Sequence, residues 1–135
     1  MADGDKLVHE LDLKFKRSSL SHDIGITQKY NVTLDVPLVI DINRLLKGDL
    51  LIKFEKGSYA RIGVMPQYGD ADSVKWFDVK NIFTFHILNC LEDENKVVVR
   101  GFNTLQSIIS GPDFGLKFFG MFSKGFKLII PSEAD

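Results

Sequence analysis

The sequence is short of most features that would place it in a special class. It has one cysteine, Cys90, among 135 residues. A lone thiol closes no internal disulfide, so the chain reads as a protein of a reducing compartment and not as a stapled secreted scaffold. Charge of one sign is missing too, because 17 Lys and Arg face 18 Asp and Glu for a net charge of −1. That balance leaves no electrostatic excess to hold a phosphate backbone and argues against nucleic acid as a partner. No apolar run reaches the ~18 to 20 residues of a membrane-spanning helix. The opening Met1-Ala2-Asp3-Gly4-Asp5-Lys6 is acidic and lacks an apolar core, unlike a secretory signal or a basic transit peptide. Cytosol is the expectation if Met1 is the true start.

Several catalytic signatures are also missing. There is no nucleophile elbow, no phosphate-cradling glycine loop, no CxxC pair and no HExxH. Asp70 and Asp72 resemble the start of a calcium loop, but the later ligands of such a loop do not follow, so a solvated turn is expected. Glu92, Asp93 and Glu94 read as a charged hairpin tip. The aromatic complement is lopsided, with 11 Phe against 3 Tyr and 1 Trp. Phe has no polar handle, so these rings require apolar company, either a core or the wall of an apolar ligand tunnel.

What is present is period-two alternation. Leu7, His9, Leu11, Leu13 and Phe15 share one parity while Glu10, Asp12, Lys14 and Lys16 hold the other, the pattern of a half-buried strand. A second alternating run spans Ile26 to Val36, up to Pro37. Further strands are expected over 51–55, 60–66, 75–80, 81–91 and 96–102, with polar or Gly-bearing breaks at 56–58, 69–72 and 92–95. Helix is thin: one or two turns over 41–48 closing at Gly48, and another over 103–110 after an Asn cap. The expectation is a single mainly β unit over 1–135 with no internal boundary. After Gly111-Pro112 the chain turns Phe- and Gly-rich, and Phe114 to Phe126 with its lysines reads either as core-filling loop or as a peripheral membrane contact.

Three histidines are the remaining candidates for chemistry. His9 lies on the apolar parity of the first run and is expected to be structural. His86, within Phe83-Thr84-Phe85-His86-Ile87-Leu88, is an imidazole among apolar neighbours that must find a partner. His22 precedes a strand in Ser21-His22-Asp23, where metal ligation and capping are both open.

Ser21-His22-Asp23-Ile24-Gly25-Ile26-Thr27 resembles the histidine-aspartate motif of the carotenoid cleavage oxygenase family, and Phe85-His86-Ile87-Leu88-Asn89 is similar to that family's phenylalanine-histidine-x-x-asparagine motif. Arg61-Ile62-Gly63-Val64-Met65-Pro66 and Lys75-Trp76-Phe77 follow in the family's order, and Ser107-Ile108-Ile109 with Gly111-Pro112-Asp113 looks like the plant branch. The resemblance implies part of a seven-bladed β-propeller, about three blades at ~40 to 50 residues each. It implies a ferrous ion, Fe(2+), held by four histidines, two of which match His22 and His86. Asp23 and Asn89 sit within the same motifs, where orienting the neighbouring rings or backbone and a simple turn or ladder role are both open. The implied substrates are a carotenoid or apocarotenoid and dioxygen, with cleavage of one conjugated double bond to two carbonyl products. The family's other two ligands fall outside this span, and an open arc of blades would expose sheet edges and favour self-association. Cys90-Leu91 and Ser19-Leu20-Ser21 depart from the family pattern and mark a subfamily. The competing expectation is a non-catalytic β-rich fragment that binds apolar ligands or a partner protein. An internal fragment would also have lost any plastid-targeting segment, so plastid stands beside cytosol.

Overall fold

The structure, a computed structural model, describes residues 2–55, 57–79, 84, 86–103 and 124–131. The mainly β expectation holds. Strands β1 (Ala2–Asp3), β2 (Lys6–Leu7), β3 (Ile24–Ile26), β4 (Tyr30–Asp35), β5 (Leu38–Ile40), β6 (Ile52–Phe54), β7 (Ala60–Pro66), β8 (Lys75–Val79), β9 (Ile87–Asp93), β10 (Lys96–Asn103) and β11 (Lys124–Pro131) are joined by one short helix, α1 (Ile42–Leu46), and a 3-10 turn over Ala71–Ser73. Two blade-like antiparallel sheets dominate, one in the order β3-β4-β7-β8 and one in the order β11-β10-β9; β1-β2 and β5-β6 form separate ribbons.

These sheets pack face to face through one parity of their strands. Val32 and Leu34 of β4, Ile62 and Val64 of β7, Val97 and Val99 of β10 and Ile130 of β11 form the buried core, joined by Val36 and Leu38. The β-branched Val97, Val98 and Val99 of β10 are all buried, so this strand is covered on both faces, a surrounding that suits stiff branched side chains.

Two alternating runs fold differently from the pattern they present. Ile26 to Val36 is not one strand: β3 and β4 pair antiparallel, with Ile24 opposite Thr33 and Ile26 opposite Asn31. The reversal is built by Thr27, whose backbone N–H donates to the Tyr30 carbonyl and whose hydroxyl accepts from the Tyr30 N–H at 2.9 Å. Such a Ser/Thr turn interrupts a strand that periodicity alone cannot distinguish from a continuous one. Over 8–16, by contrast, burial alternates as expected, with His9, Leu11, Leu13 and Phe15 half-buried, but beyond β2 the segment joins no ladder among the described residues. Side chains hold it instead. His9 packs edge-on against Tyr68 at 6.0 Å, and Phe15 against Trp76 at 5.9 Å.

Arg17 then anchors this arm to the second face of the larger sheet. Its Nε donates to Asp35 Oδ1 at 2.9 Å, its Nη1 to Ser58 Oγ at 3.0 Å, and its Nη2 to the carbonyls of Asp35 and Tyr59. Arg61 Nε donates to the other Asp35 oxygen at 2.8 Å. The Asp35 side chain is fully buried, so the two guanidiniums supply the partners that a buried carboxylate requires. Tyr59 and Trp76 rings stack against them, Arg17 lying 4.1 Å over Tyr59 and Arg61 lying 4.0 Å over Trp76.

Helix α1 is capped by Asp41, which accepts from the Asn43 N–H, and Gly48 follows it at φ +79°. Asp70 caps the 3-10 turn through the Ser73 N–H, a turn role as expected. Strand β9 runs on through Glu92 and Asp93, so only Glu94 and Asn95 form the tip, with Glu94 at φ +53°. Strands β5 and β11 carry no expectation from the sequence. The expected helix over 103–110 and the motif pieces at 107–113 lie outside the described residues apart from Asn103, which ends β10. The Phe114 to Phe126 stretch lies outside them except for its last residues, which start β11.

Candidate functional site

The first strand of each blade-like sheet, β3 and β9, run side by side in the same direction. Contacts climb both strands together. Asp23 Oδ2 accepts from the Ile87 N–H at 3.0 Å, Gly25 faces Cys90, and Glu92 Oε1 accepts from the Lys29 N–H at 2.7 Å. His22 and His86 sit one residue ahead of the first of these contacts, so both are delivered to the same end of the strand pair. Their rings lie 5.0 Å apart between centroids at an interplanar angle of 73°. Both histidines are exposed, and Asp23 between them is half-buried.

Local sequence explains the placement. Asp23 Oδ1 accepts from its neighbour Ile24 N–H at 2.8 Å, which fixes the entry into β3 just after His22. Gly25 is required because a side chain there would overlap the Cys90 thiol. On β9, a bulge leaves Leu88 without a ladder partner, because Asn89 pairs with Arg100 and Ile87 with Gly101. Bulges re-aim the residues beside them. Here the affected residues follow His86 directly.

Electrostatics at the strand pair follow from the same packing. Asp23 Oδ2 lies 3.6 Å from His86 Nδ1, an ion-pair separation when the imidazole is protonated. Burial pushes the Cys90 thiol up from 9.0 to about 11, with the Asp23 charge adding in the same direction. At the other end, the Glu92 carboxyl is held below its ordinary 4.5, first by the Thr27 hydroxyl, then by the backbone and charge of Lys29 and the backbone of Gln28. Glu92 is thus a strut to the β3–β4 turn, which corrects its reading as part of a charged hairpin tip.

His86 is not embedded among apolar side chains within a strand; it stands just ahead of β9 with its side chain 62% exposed. Asn89 lies exposed in the β9 ladder opposite Arg100. His9 is half-buried against Tyr68, away from the pair. Sequence reading missed Gly25, Thr27 and Glu92 as contacts between the strands. A signal was available in the interval of 64 residues between His22 and His86, which also carries Asp23 to Ile87.

Two imidazoles with centroids 5.0 Å apart fit the span that neighbouring ligands of one ion occupy when each metal–nitrogen bond is about 2.1 Å. Among the described residues no group of three or more His, Cys, Asp or Glu side chains is arranged to hold a metal ion. The donor set is therefore a pair that further ligands would have to complete.

Comparison with known proteins gives these features a context. The sequence profile of the retinal pigment epithelial membrane protein family matches residues 1–117. A carotenoid 9,10(9',10')-cleavage dioxygenase of Crocus sativus is 38% identical over 84 residues, which is 61% of this chain and 15% of that enzyme. The solved structure of the Pseudomonas brassicacearum lignostilbene dioxygenase superposes with a TM-score of 0.65 at 29% identity, covering 71% of this chain and 20% of that one. A cobalt-substituted apocarotenoid oxygenase of Synechocystis shares the fold at a TM-score of 0.57 and 23% identity, over 65% of this chain and 19% of its own length. The chain therefore spans a fifth or less of the length of the relatives described.

Proposed function

The chain belongs to the retinal pigment epithelial membrane protein family, and on that premise we propose that it is part of an Fe(II)-dependent dioxygenase that cleaves a conjugated double bond of a carotenoid or apocarotenoid to two carbonyl products. The observation that carries this reading is the meeting of His22 and His86, 5.0 Å apart, from two separate sheets. Similarity to a carotenoid cleavage dioxygenase supports the substrate class.

In this reading His22 and His86 hold the ferrous ion together with nitrogen donors from propeller blades beyond this chain. Neutral imidazoles suit ferrous iron, and a histidine cage leaves coordination positions open. When bound, iron supplies the activation of dioxygen that the polyene requires. The chain's own residues supply geometry and an apolar wall. Ile24 and Leu88 each lie two residues beyond a histidine and are 53% and 54% exposed, so apolar surface flanks the pair where an extended polyene would lie.

An antibody against this chain would test the proposal on the endogenous protein. The expected result is a product several times heavier than 15.3 kDa whose immunoprecipitate cleaves an apocarotenoid in air, with loss on His22→Ala or His86→Ala. A product at 15.3 kDa without cleavage would establish the non-catalytic β fragment instead. The 135-residue chain alone is expected to show little or no cleavage.

A further inference from the structure

We propose that Asp23 is a positioning residue, one carboxylate that sets the His22 and His86 pair by clamping the start of β9 onto the start of β3. The clamp stands on hydrogen-bond geometry alone; its consequence for metal binding rests on the iron reading above.

Asp23 divides its oxygens between the two strands. Oδ1 takes the Ile24 N–H at 2.8 Å, two residues after His22. Oδ2 takes the Ile87 N–H at 3.0 Å, one residue after His86 and 64 residues away in sequence. Each histidine is thereby followed within two residues by a backbone donor held on the same carboxylate. The β9 bulge lies directly beside this contact: Leu88 has no ladder partner, while Ile87 keeps its pairing with Gly101 and gives its N–H to Asp23. A bulge costs ladder pairing, and the side-chain acceptor offsets it.

The same oxygen lies 3.6 Å from His86 Nδ1, too long for a hydrogen bond but close enough to bias the ring. A negative charge on that side favours the proton on Nδ1 and the lone pair on Nε2, a form in which an imidazole ligates. Three effects thus converge on one side chain: the entry of β3, the entry of β9 and the orientation of His86. Among the described residues the pair is flanked by Asp23 on the side of this junction, while the other interstrand supports, Cys90 and Glu92, lie farther along β9. Loss of outer partners of metal-binding histidines weakens metal affinity about 10- to 100-fold.

The test uses the 135-residue chain with two readouts, backbone amide exchange by NMR and titration with Co(II), a visible-spectrum probe for histidine sites. Asp23→Ala is expected to speed exchange at both Ile24 and Ile87 by tenfold or more while the Val97 and Val99 amides of the core keep their protection. Asp23→Asn, with one acceptor oxygen in place of two, is expected to speed exchange at one of them and spare the other, and it serves alone if Asp23→Ala does not fold. Co(II) affinity is expected to fall about tenfold or more in Asp23→Ala and less in Asp23→Asn. Unchanged exchange at Ile87 overturns the clamp, and equal acceleration at Ile87 and Val97 reduces Asp23 to a general stabiliser and overturns positioning. Equal Co(II) affinity with a loosened Ile87 overturns the link to the histidines. A chain that takes up no Co(II) before substitution shows that the pair alone holds no metal; that removes the metal consequence for this chain, leaves the iron reading with its further ligands standing, and the exchange data still decide the clamp.

Discussion

Gly25 of β3 lies against the Cys90 thiol of β9 with no room for a Cβ between them. The close approach joins the two blade-like sheets midway between the Asp23 and Glu92 contacts. It sets how near the strands bearing the two histidines can come.

Gly25→Ala is therefore expected to destabilise the fold by about 1 to 3 kcal/mol, the usual cost of overpacking a tight contact. Cys90→Ala should remove most of that cost when combined with it, because the overlapping atom is then gone. A double-mutant cycle on urea unfolding measures the coupling, and strictly additive effects would show that the strands do not meet at this point.

Cys90 should be a poor nucleophile in the folded chain. A thiol pushed up from 9.0 to about 11 carries about a hundredfold less thiolate near pH 8 than an ordinary one. Alkylation by iodoacetamide is expected to be slower in the native protein than in urea by about that factor, since burial also restricts access. Because the folded value is raised, the stability linked to this thiol is full below 9.0 and is lost as pH rises toward about 11.

Asp35 is expected to be among the most sensitive positions in the chain. Asp35→Ala leaves the Arg17 and Arg61 guanidiniums facing each other without their shared, fully buried carboxylate. Breaking a buried ion pair from one side costs about 3 to 5 kcal/mol, measurable as a shift in the urea midpoint. Arg17→Ala takes one of the two partners from the buried Asp35 carboxylate, so it should also lower the urea midpoint and, in addition, release residues 8–16 to limited proteolysis.

Glu92 ties the acid stability of the fold to the β3–β4 turn. Its carboxyl is held below the ordinary 4.5 by Thr27 first and then by Lys29 and Gln28. A depressed carboxyl contributes fully above the unfolded value and loses its contribution as pH falls through the folded one. Urea midpoints of the unsubstituted chain should thus drop between about pH 7 and about pH 3, and Glu92→Gln should show a smaller drop. An identical drop in the two proteins would remove Glu92 from the acid response.

Much of the fold was legible because strand periodicity reports burial. The run Ala60 to Pro66 appears as β7 with the expected ends, and Lys75 to Lys80 appears as β8 over Lys75–Val79. Helix α1 formed where Asp41 and Gly48 punctuate the chain. The turn at Thr27 to Lys29 was hidden because Ile26, Gln28 and Tyr30 continue the alternation, and only a hydroxyl in hydrogen-bond reach of the Tyr30 backbone breaks it. Residues 8–16 show the opposite limit: their alternation predicts which side chains are half-buried but carries no information about a ladder partner.

The candidate site divides in the same way. Residue types and the family they resemble are readable along the chain: His22 followed by Asp23 ahead of a strand, and His86 at an interval of 64 residues. Folding adds that β3 and β9 run side by side, that their two histidines meet at 5.0 Å, and that Asp23 reaches the Ile87 N–H. Periodicity records how each strand meets the core, whereas the distance between two strands far apart in sequence depends on what fits between them. Here that is set by a glycine too small to keep Cys90 away and by a carboxylate with one oxygen for each strand.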